Sequence, residues 1–398
     1  MSRRPITVVI FSGFFLLGML FLMWGILLPD IAANLQMSKM VSGALFLLFS
    51  MGMMIGAIVG GKYVSKFDFL SLLALLISIN AVLLLIVSVL SQWQWVLFAV
   101  FTVGVVSSSI ITIGHTLIAQ LYAEKRFAMM GVMDFMFSLG TFAASFYVTF
   151  IYSFENSWRW PLRVLTVLLL VLAAYTFLAA AKNKRLAPVK SGQPKRSLAY
   201  GGIIRQPVFL MLALVSFGYG AVEFGNANWF VSYAQQTMSY SGEDARNLLA
   251  FFTAGMVISR LCFAFLLRWF TTHRLTVILA TMTFFGALAI KLADSFYFIG
   301  IGNLILGLGL GGLFPLILSA AMSIDADKGP VLSGISIIGN SLGVQLASFS
   351  TGVWANFASL GEAFWVIPMA GAWLWLTAWY YSRELKRRHV DHVDPAAL

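Results

Sequence analysis

The sequence predicts an all-α membrane protein, twelve transmembrane helices arranged as two six-helix repeats. Three observations carry that prediction. Of the 398 residues, 60% are hydrophobic and only 10% charged, whereas a soluble domain is about half apolar and about a quarter charged. Apolar runs of about 20 residues recur along the chain, each long enough to cross a hydrocarbon core of ~30 Å. One sizeable polar connection, residues 182–206, divides those runs six and six. Backbone groups in hydrocarbon must find partners within their own segment, so the runs read as bundled helices.

The spans follow in order. The first, 6–29, opens behind Arg3 and Arg4 and closes on Ile26-Leu-Leu-Pro29. It is too long for the apolar core of a signal peptide and eleven more spans follow, so it is expected to remain as a helix. Spans two and three, 41–63 and 69–91, flank a loop holding Lys62 and Lys66. Trp93 and Trp95 anchor the outer boundary at which span four, 94–120, begins. Span five, 128–152, follows Lys125 and Arg126. Span six, 161–181, runs into the linker KNKRLAPVKSGQPKRSLAYGGIIRQ. Span seven is 207–234, span eight 247–269, and span nine 274–293, with Lys291 near its outer end. Span ten, 297–323, is rich in glycine; span eleven, 330–353, follows Lys328; span twelve, 363–381, precedes a basic tail. The domain reading is an N-terminal bundle 1–181, a cytoplasmic linker 182–206, a C-terminal bundle 207–382 and a cytoplasmic tail 383–398.

The basic residues orient the bundle. Twenty of the 26 Lys and Arg fall on one side, namely Arg3, Arg4, the loops at Lys62, Lys66, Lys125, Arg126, Arg268, Arg274 and Lys328, the linker and the tail. The opposite loops hold only Lys39, Arg159, Arg163 and Arg246. Lys and Arg are retained on the cytoplasmic side, so both termini are expected there, in a multi-pass protein of the bacterial inner membrane. The net charge of +11 is thereby a topology signal, with contact to anionic lipid, rather than a sign of nucleic acid. A lone cysteine, Cys262, excludes an internal disulfide framework. There is no phosphate-binding glycine loop, no metal-ligand spacing and no nucleophile with base and acid. An enzyme, a cofactor and a bound metal are therefore not expected.

The halves repeat at an offset of 203. Phe49-Ser-Met-Gly52-Met-Met-Ile55 matches Phe252-Thr-Ala-Gly255-Met-Val-Ile258, and Phe67 returns as Phe270. Ala123-Glu-Lys125 recurs as Ala326-Asp-Lys328, Gly131 as Gly334, and Ser138-Leu-Gly140 as Ser341-Leu-Gly343. Several matches in chain order at one offset argue for a tandem repeat, and paired six-helix repeats describe a transporter.

With these features the chain resembles the major facilitator superfamily over nearly its whole length. The fucose permease-like branch is the best likeness, through Ile26-Leu-Leu-Pro29, Tyr219-Gly-Ala-Val-Glu223 with Trp229, and Ile258-Ser-Arg260 leading to Leu266-Leu-Arg-Trp-Phe270. Thr112-Ile-Gly114, Ile118-Ala-Gln-Leu-Tyr122 and Asp134-Phe-Met-Phe-Ser138 are similar to the TsgA-like subgroup. The resemblance implies alternating access, with spans one, four, seven and ten lining the solute path. Two departures stand out. The loop pattern Gly-x-x-x-Asp-Arg is degraded here to Gly61-Lys-Tyr-Val-Ser-Lys66-Phe-Asp68. The acidic positions of the branch's sugar–proton symporters hold Gly25 and Ile111.

The intramembrane polar residues are then ranked. Glu223 and Arg260 lie 18 and 19 residues on either side of a loop centred near 241, so both reach the same depth. Opposite charges in contact lower the burial cost of both. Glu223 is a candidate proton carrier, with Arg260 as its counter-ion or an anchor for an anionic solute; a static pair fixing helix packing is the alternative. Asn226, Asn228 and Trp229 are candidate solute contacts beside it, as are Asn340 and Gln345 on span eleven. His115 and Asp134 flank the loop 122–127 almost symmetrically and form a second candidate proton relay. Their alternative is a neutral imidazole donating to a backbone carbonyl and a carboxylate holding two helices together. Ser107-Ser-Ser109 and the glycines of span ten read as close-packing residues. Lys291 reads as an interfacial cation with Asp294 three residues on.

The reading is a secondary active transporter, a monomer, moving a small sugar-like or other polar solute with protons. A proton-coupled efflux antiporter is the rival within transport, and a non-transporting membrane sensor a rival outside it.

Overall fold

The computed structural model describes residues 3–63, 68–182, 206–325 and 329–388. The body of the linker, most of the loop around Lys66, Ala326-Asp-Lys328 and the end of the tail lie outside the described residues. Helices dominate. In the N-terminal unit, Met1–Gln193, they are α1 (Arg3–Asn34), α2 (Lys39–Tyr63), α3 (Phe69–Val89), α4 (Trp93–Leu121), α5 (Arg126–Tyr152) and α6 (Arg159–Lys182). In the C-terminal unit, Pro194–Leu398, they are α7 (Pro207–Gln236), α8 (Gly242–Trp269), α9 (Thr272–Leu292), α10 (Phe296–Gly311, continued by Leu313–Ile324), α11 (Gly329–Phe357) and α12 (Val366–Arg387). A single turn, Leu360–Ala363, precedes α12.

Eleven of these helices are long and apolar enough to cross a membrane. The twelfth, α12, is 22 residues long, ample by length at ~1.5 Å per residue. Its run of Trp373, Trp375, Trp379, Tyr380 and Tyr381 lowers its hydropathy. Such residues belong at membrane–water boundaries.

Each unit packs by one scheme. In the first, α1 lies on α5, α2 on α4 and α3 on α6; in the second, α7 lies on α11, α8 on α10 and α9 on α12. Matched glycines explain the repeat. Gly52 of α2 rests on the Phe101 carbonyl of α4, and Gly104 of α4 rests on the Phe49 carbonyl of α2. In the second unit Gly255 rests on the Leu304 carbonyl and Gly307 on that of Phe252. The two relations of the first unit thus recur in the second at the offset of 203. A β-carbon at any of these positions would strike backbone, so only glycine permits the crossing. Gly140 on the Phe15 carbonyl and Gly343 on the Phe217 carbonyl repeat the device for α1 with α5 and α7 with α11.

Three boundaries differ from expectation. Helix α1 continues through Pro29 to Asn34. Proline removes one intrahelical bond, and the extra turn is held from outside. Tyr152 donates to the Asp30 carboxylate at 2.6 Å, and Trp158 Nε1 to the Asn34 side chain at 3.3 Å. Span ten is broken at Gly312. Helix α12 runs on to Arg387, taking the first residues of the expected tail into the helix and pairing Arg387 with Glu384 at 2.7 Å.

Candidate functional site

Helix α7 runs beside α11 in parallel, and its polar residues divide between two neighbours. Ser216 meets Ser336 at 2.6 Å and Asn228 donates to Ser348 at 2.9 Å. Trp229 donates through Nε1 to the Ser348 carbonyl at 2.8 Å. Asn226 points instead to α10, donating to the Asn303 side chain at 3.3 Å, while Asn303 returns a bond to its own Ile299 carbonyl at 3.1 Å. The split follows from helical geometry, since positions 226 and 228 lie about 200° apart. Asn226, Asn228 and Trp229 are all buried. Here the donors of these three candidate solute contacts tie α7 to α10 and α11. A buried donor must find an acceptor, and each has done so.

Glu223 behaves differently. It is only partly buried, one turn beyond Tyr219 on the same helix face. The Tyr219 hydroxyl lies beside both the Glu223 carboxyl and the Arg260 guanidinium of α8, and Arg260 acts on Glu223 as a neighbouring charge. The sequence expectation that positions 223 and 260 come to one depth agrees with this geometry. Tyr219 itself is buried, its ring 5.2 Å from that of Phe314. Arg260 also donates through Nε to the Gly311 carbonyl at 3.3 Å, at the break in α10.

The α11 candidates separate. Asn340 crosses α7 at Gly220, where a β-carbon would strike its side chain and its carbonyl. Its Oδ1 is buried and accepts no hydrogen bond, as is Oδ1 of Asn226. Gln345 is half-buried and lies about 140° around the helix from Asn340.

In the first unit His115 and Asp134 do meet. His115 Nε2 is 3.5 Å from Asp134 Oδ1, with the side chains 32% and 57% exposed. His115 Nδ1 lies 3.0 Å from the Ile111 carbonyl in its own helix. A carbonyl can only accept, so Nδ1 carries a proton there, and Nε2 can donate to Asp134 only in the imidazolium form. The ring of Phe14 packs edge-on at 5.2 Å, in space that Gly114 leaves open. Both proposed alternatives for His115, the backbone bond and the pair with Asp134, are thus present together.

Other polar residues pack helices. Ser107 accepts from Asn80 at 3.1 Å, and Ser109 donates to the Gly56 carbonyl at 3.0 Å. The Lys291 ammonium sits 5.8 Å from the Tyr233 ring and 5.3 Å from the Trp365 ring. Aromatic faces, rather than Asp294, hold this cation. Among the described residues no group of three His, Cys, Asp or Glu could hold a metal ion. Sequence reasoning missed the acceptor at Gly311, although Pro315 four residues on signals it. It also missed Asp30 with Tyr152, for which no local pattern exists.

A family model described as Major Facilitator Superfamily matches residues 9–348. The glucose/mannose transporter GlcP of Bacillus subtilis (strain 168) is 22% identical over 408 residues, 98% of this chain and 96% of that one. Protein TsgA of Shigella flexneri is 26% identical over 295 residues, 70% of each chain. Among solved structures, a D-xylose–proton symporter superposes with a TM-score of 0.77 at 15% identity, over 100% of both chains.

Proposed function

The chain belongs to the Major Facilitator Superfamily, a family of membrane carriers rather than enzymes, and on that footing we propose a proton-coupled symporter for a small sugar-like solute. The observation that carries the proposal is Glu223. It is a carboxyl within a membrane span, partly open, beside the Arg260 guanidinium and the Tyr219 hydroxyl. Carboxyls inside spans are costly and mark ion and proton paths. When Glu223 is ionised, Arg260 balances it; when it takes a proton, the guanidinium is released to its other acceptors. That exchange couples proton binding to helix packing around α8 and α10. Its likeness to a glucose/mannose transporter and to a D-xylose–proton symporter supports a sugar-like solute. The unspent Asn340 acceptor beside α7 is the candidate hydroxyl contact. The proposal includes a monomer in the bacterial inner membrane with both termini cytoplasmic, supported by the distribution of Lys and Arg.

The test is uptake into proteoliposomes with an imposed pH gradient, using labelled glucose, xylose and uridine. Accumulation of one sugar that collapses with the gradient is the expected result. Uptake indifferent to the gradient contradicts proton coupling, and uridine uptake without sugar uptake contradicts the solute class.

A further inference from the structure

The break in α10 has a specific chemistry. Pro315 stands in the first turn of the second piece, Leu313–Ile324. Proline has no N–H, so the carbonyl four residues back, that of Gly311, receives no intrahelical bond from it. The same oxygen lies at the C-terminal end of the first piece, where helix carbonyls are unsatisfied and the dipole favours a cation. Arg260 of α8 fills that role through Nε at 3.3 Å. The helices approach closely because position 311 is glycine: a β-carbon there would meet the Met256 backbone and the Ser259 side chain, on the turn leading to Arg260. The guanidinium is a rigid plane, so fixing Nε fixes the direction of the other two nitrogens. That plane lies beside Tyr219 and Glu223.

We infer that Pro315 is a positioning residue for Arg260: by withholding an N–H from Gly311 it supplies the acceptor that orients the guanidinium toward Glu223. Its consequence for transport rests on the reading of Glu223 given above; the geometry does not. Lysine at 260 would keep the charge but lacks the fixed fork, so it could serve the carbonyl or the carboxyl and not both.

The experiment uses the full chain in lipid nanodiscs with isotope-labelled arginine. The Arg260 Nε–H resonance is assigned by its absence in Arg260→Lys, and its exchange with water is followed. Pro315→Ala returns an N–H to Gly311 and is expected to speed that exchange about tenfold, the size set by loss of a hydrogen bond to a charged group. Gradient-driven uptake of labelled sugar is expected to fall in Pro315→Ala and in Arg260→Lys alike. Unchanged exchange in a folded Pro315→Ala protein overturns the inference. If Pro315→Ala speeds exchange while the wild type carries no sugar, the positioning stands and the transport reading fails. Pro315→Ser supplies the same N–H and serves as the second variant should the first not fold.

Discussion

Gly220 of α7 lies directly against Asn340 of α11: a β-carbon at 220 would collide with both the side-chain and the main-chain oxygen of Asn340. Gly220 is therefore a packing residue of α7, three residues before the proposed proton carrier Glu223. Gly220→Ala is expected to cost about 1–3 kcal/mol through overpacking. Thermal unfolding in nanodiscs reads this directly, and a melting temperature equal to wild type would refute the close approach.

Asn228 and Trp229 share one partner, Ser348, which makes separate predictions possible. Ser348→Ala strands the buried Asn228 amide and is expected to cost about 1–3 kcal/mol. The Trp229 bond goes to the backbone and survives. Asn228→Ala should lower stability while leaving the KM for solute within about twofold, as expected of a group that packs helices. A KM raised more than tenfold with unchanged stability would restore Asn228 as a solute contact.

In the His115–Asp134 pair the imidazole is half-buried and the Asp134 side chain is 57% exposed. Exposed ion pairs contribute about 0–1 kcal/mol, so Asp134→Asn should leave the melting temperature nearly unchanged. Gradient-driven uptake then decides the role. Retained accumulation marks a packing pair, and a drop of about tenfold or more, near 1.4 kcal/mol of barrier, marks a relay. The proposal, with Glu223 as the main carrier, expects retention.

Lys291 is held by the faces of Tyr233 and Trp365. Lys291→Met keeps the stem and removes the charge, so it should cost about 0.5–2 kcal/mol. Transport should persist in proportion to folded protein. Loss of uptake at normal stability would assign Lys291 a part in the cycle.

Much of the architecture was legible because it rests on periodic patterns. Span length, the distribution of Lys and Arg, and the glycines recurring at an offset of 203 each have one physical cause, and the matched crossings at Gly52 with Gly104 and Gly255 with Gly307 show it. Depth counting brought His115 to Asp134 and placed Glu223 at the level of Arg260. Helical rotation was harder to read. Asn226, Asn228 and Trp229 fall within one short stretch but spread over a broad arc of α7, and their donors are taken by α10 and α11. Tertiary partners such as Ser348 and Asn303 carry no local signal. The break at Gly312 was available in principle, through Pro315 and the carbonyl it leaves at Gly311, but apolar length alone concealed it.

Glu223→Gln in proteoliposomes tests the central claim most directly. Glutamine keeps the shape and the hydrogen-bonding reach to Tyr219 and Arg260 but cannot gain or lose a proton at neutral pH. Gradient-driven accumulation of the labelled sugar should fall at least about tenfold, while exchange of internal for external sugar, which needs no net proton movement, continues. Accumulation at the wild-type level in Glu223→Gln would contradict the account.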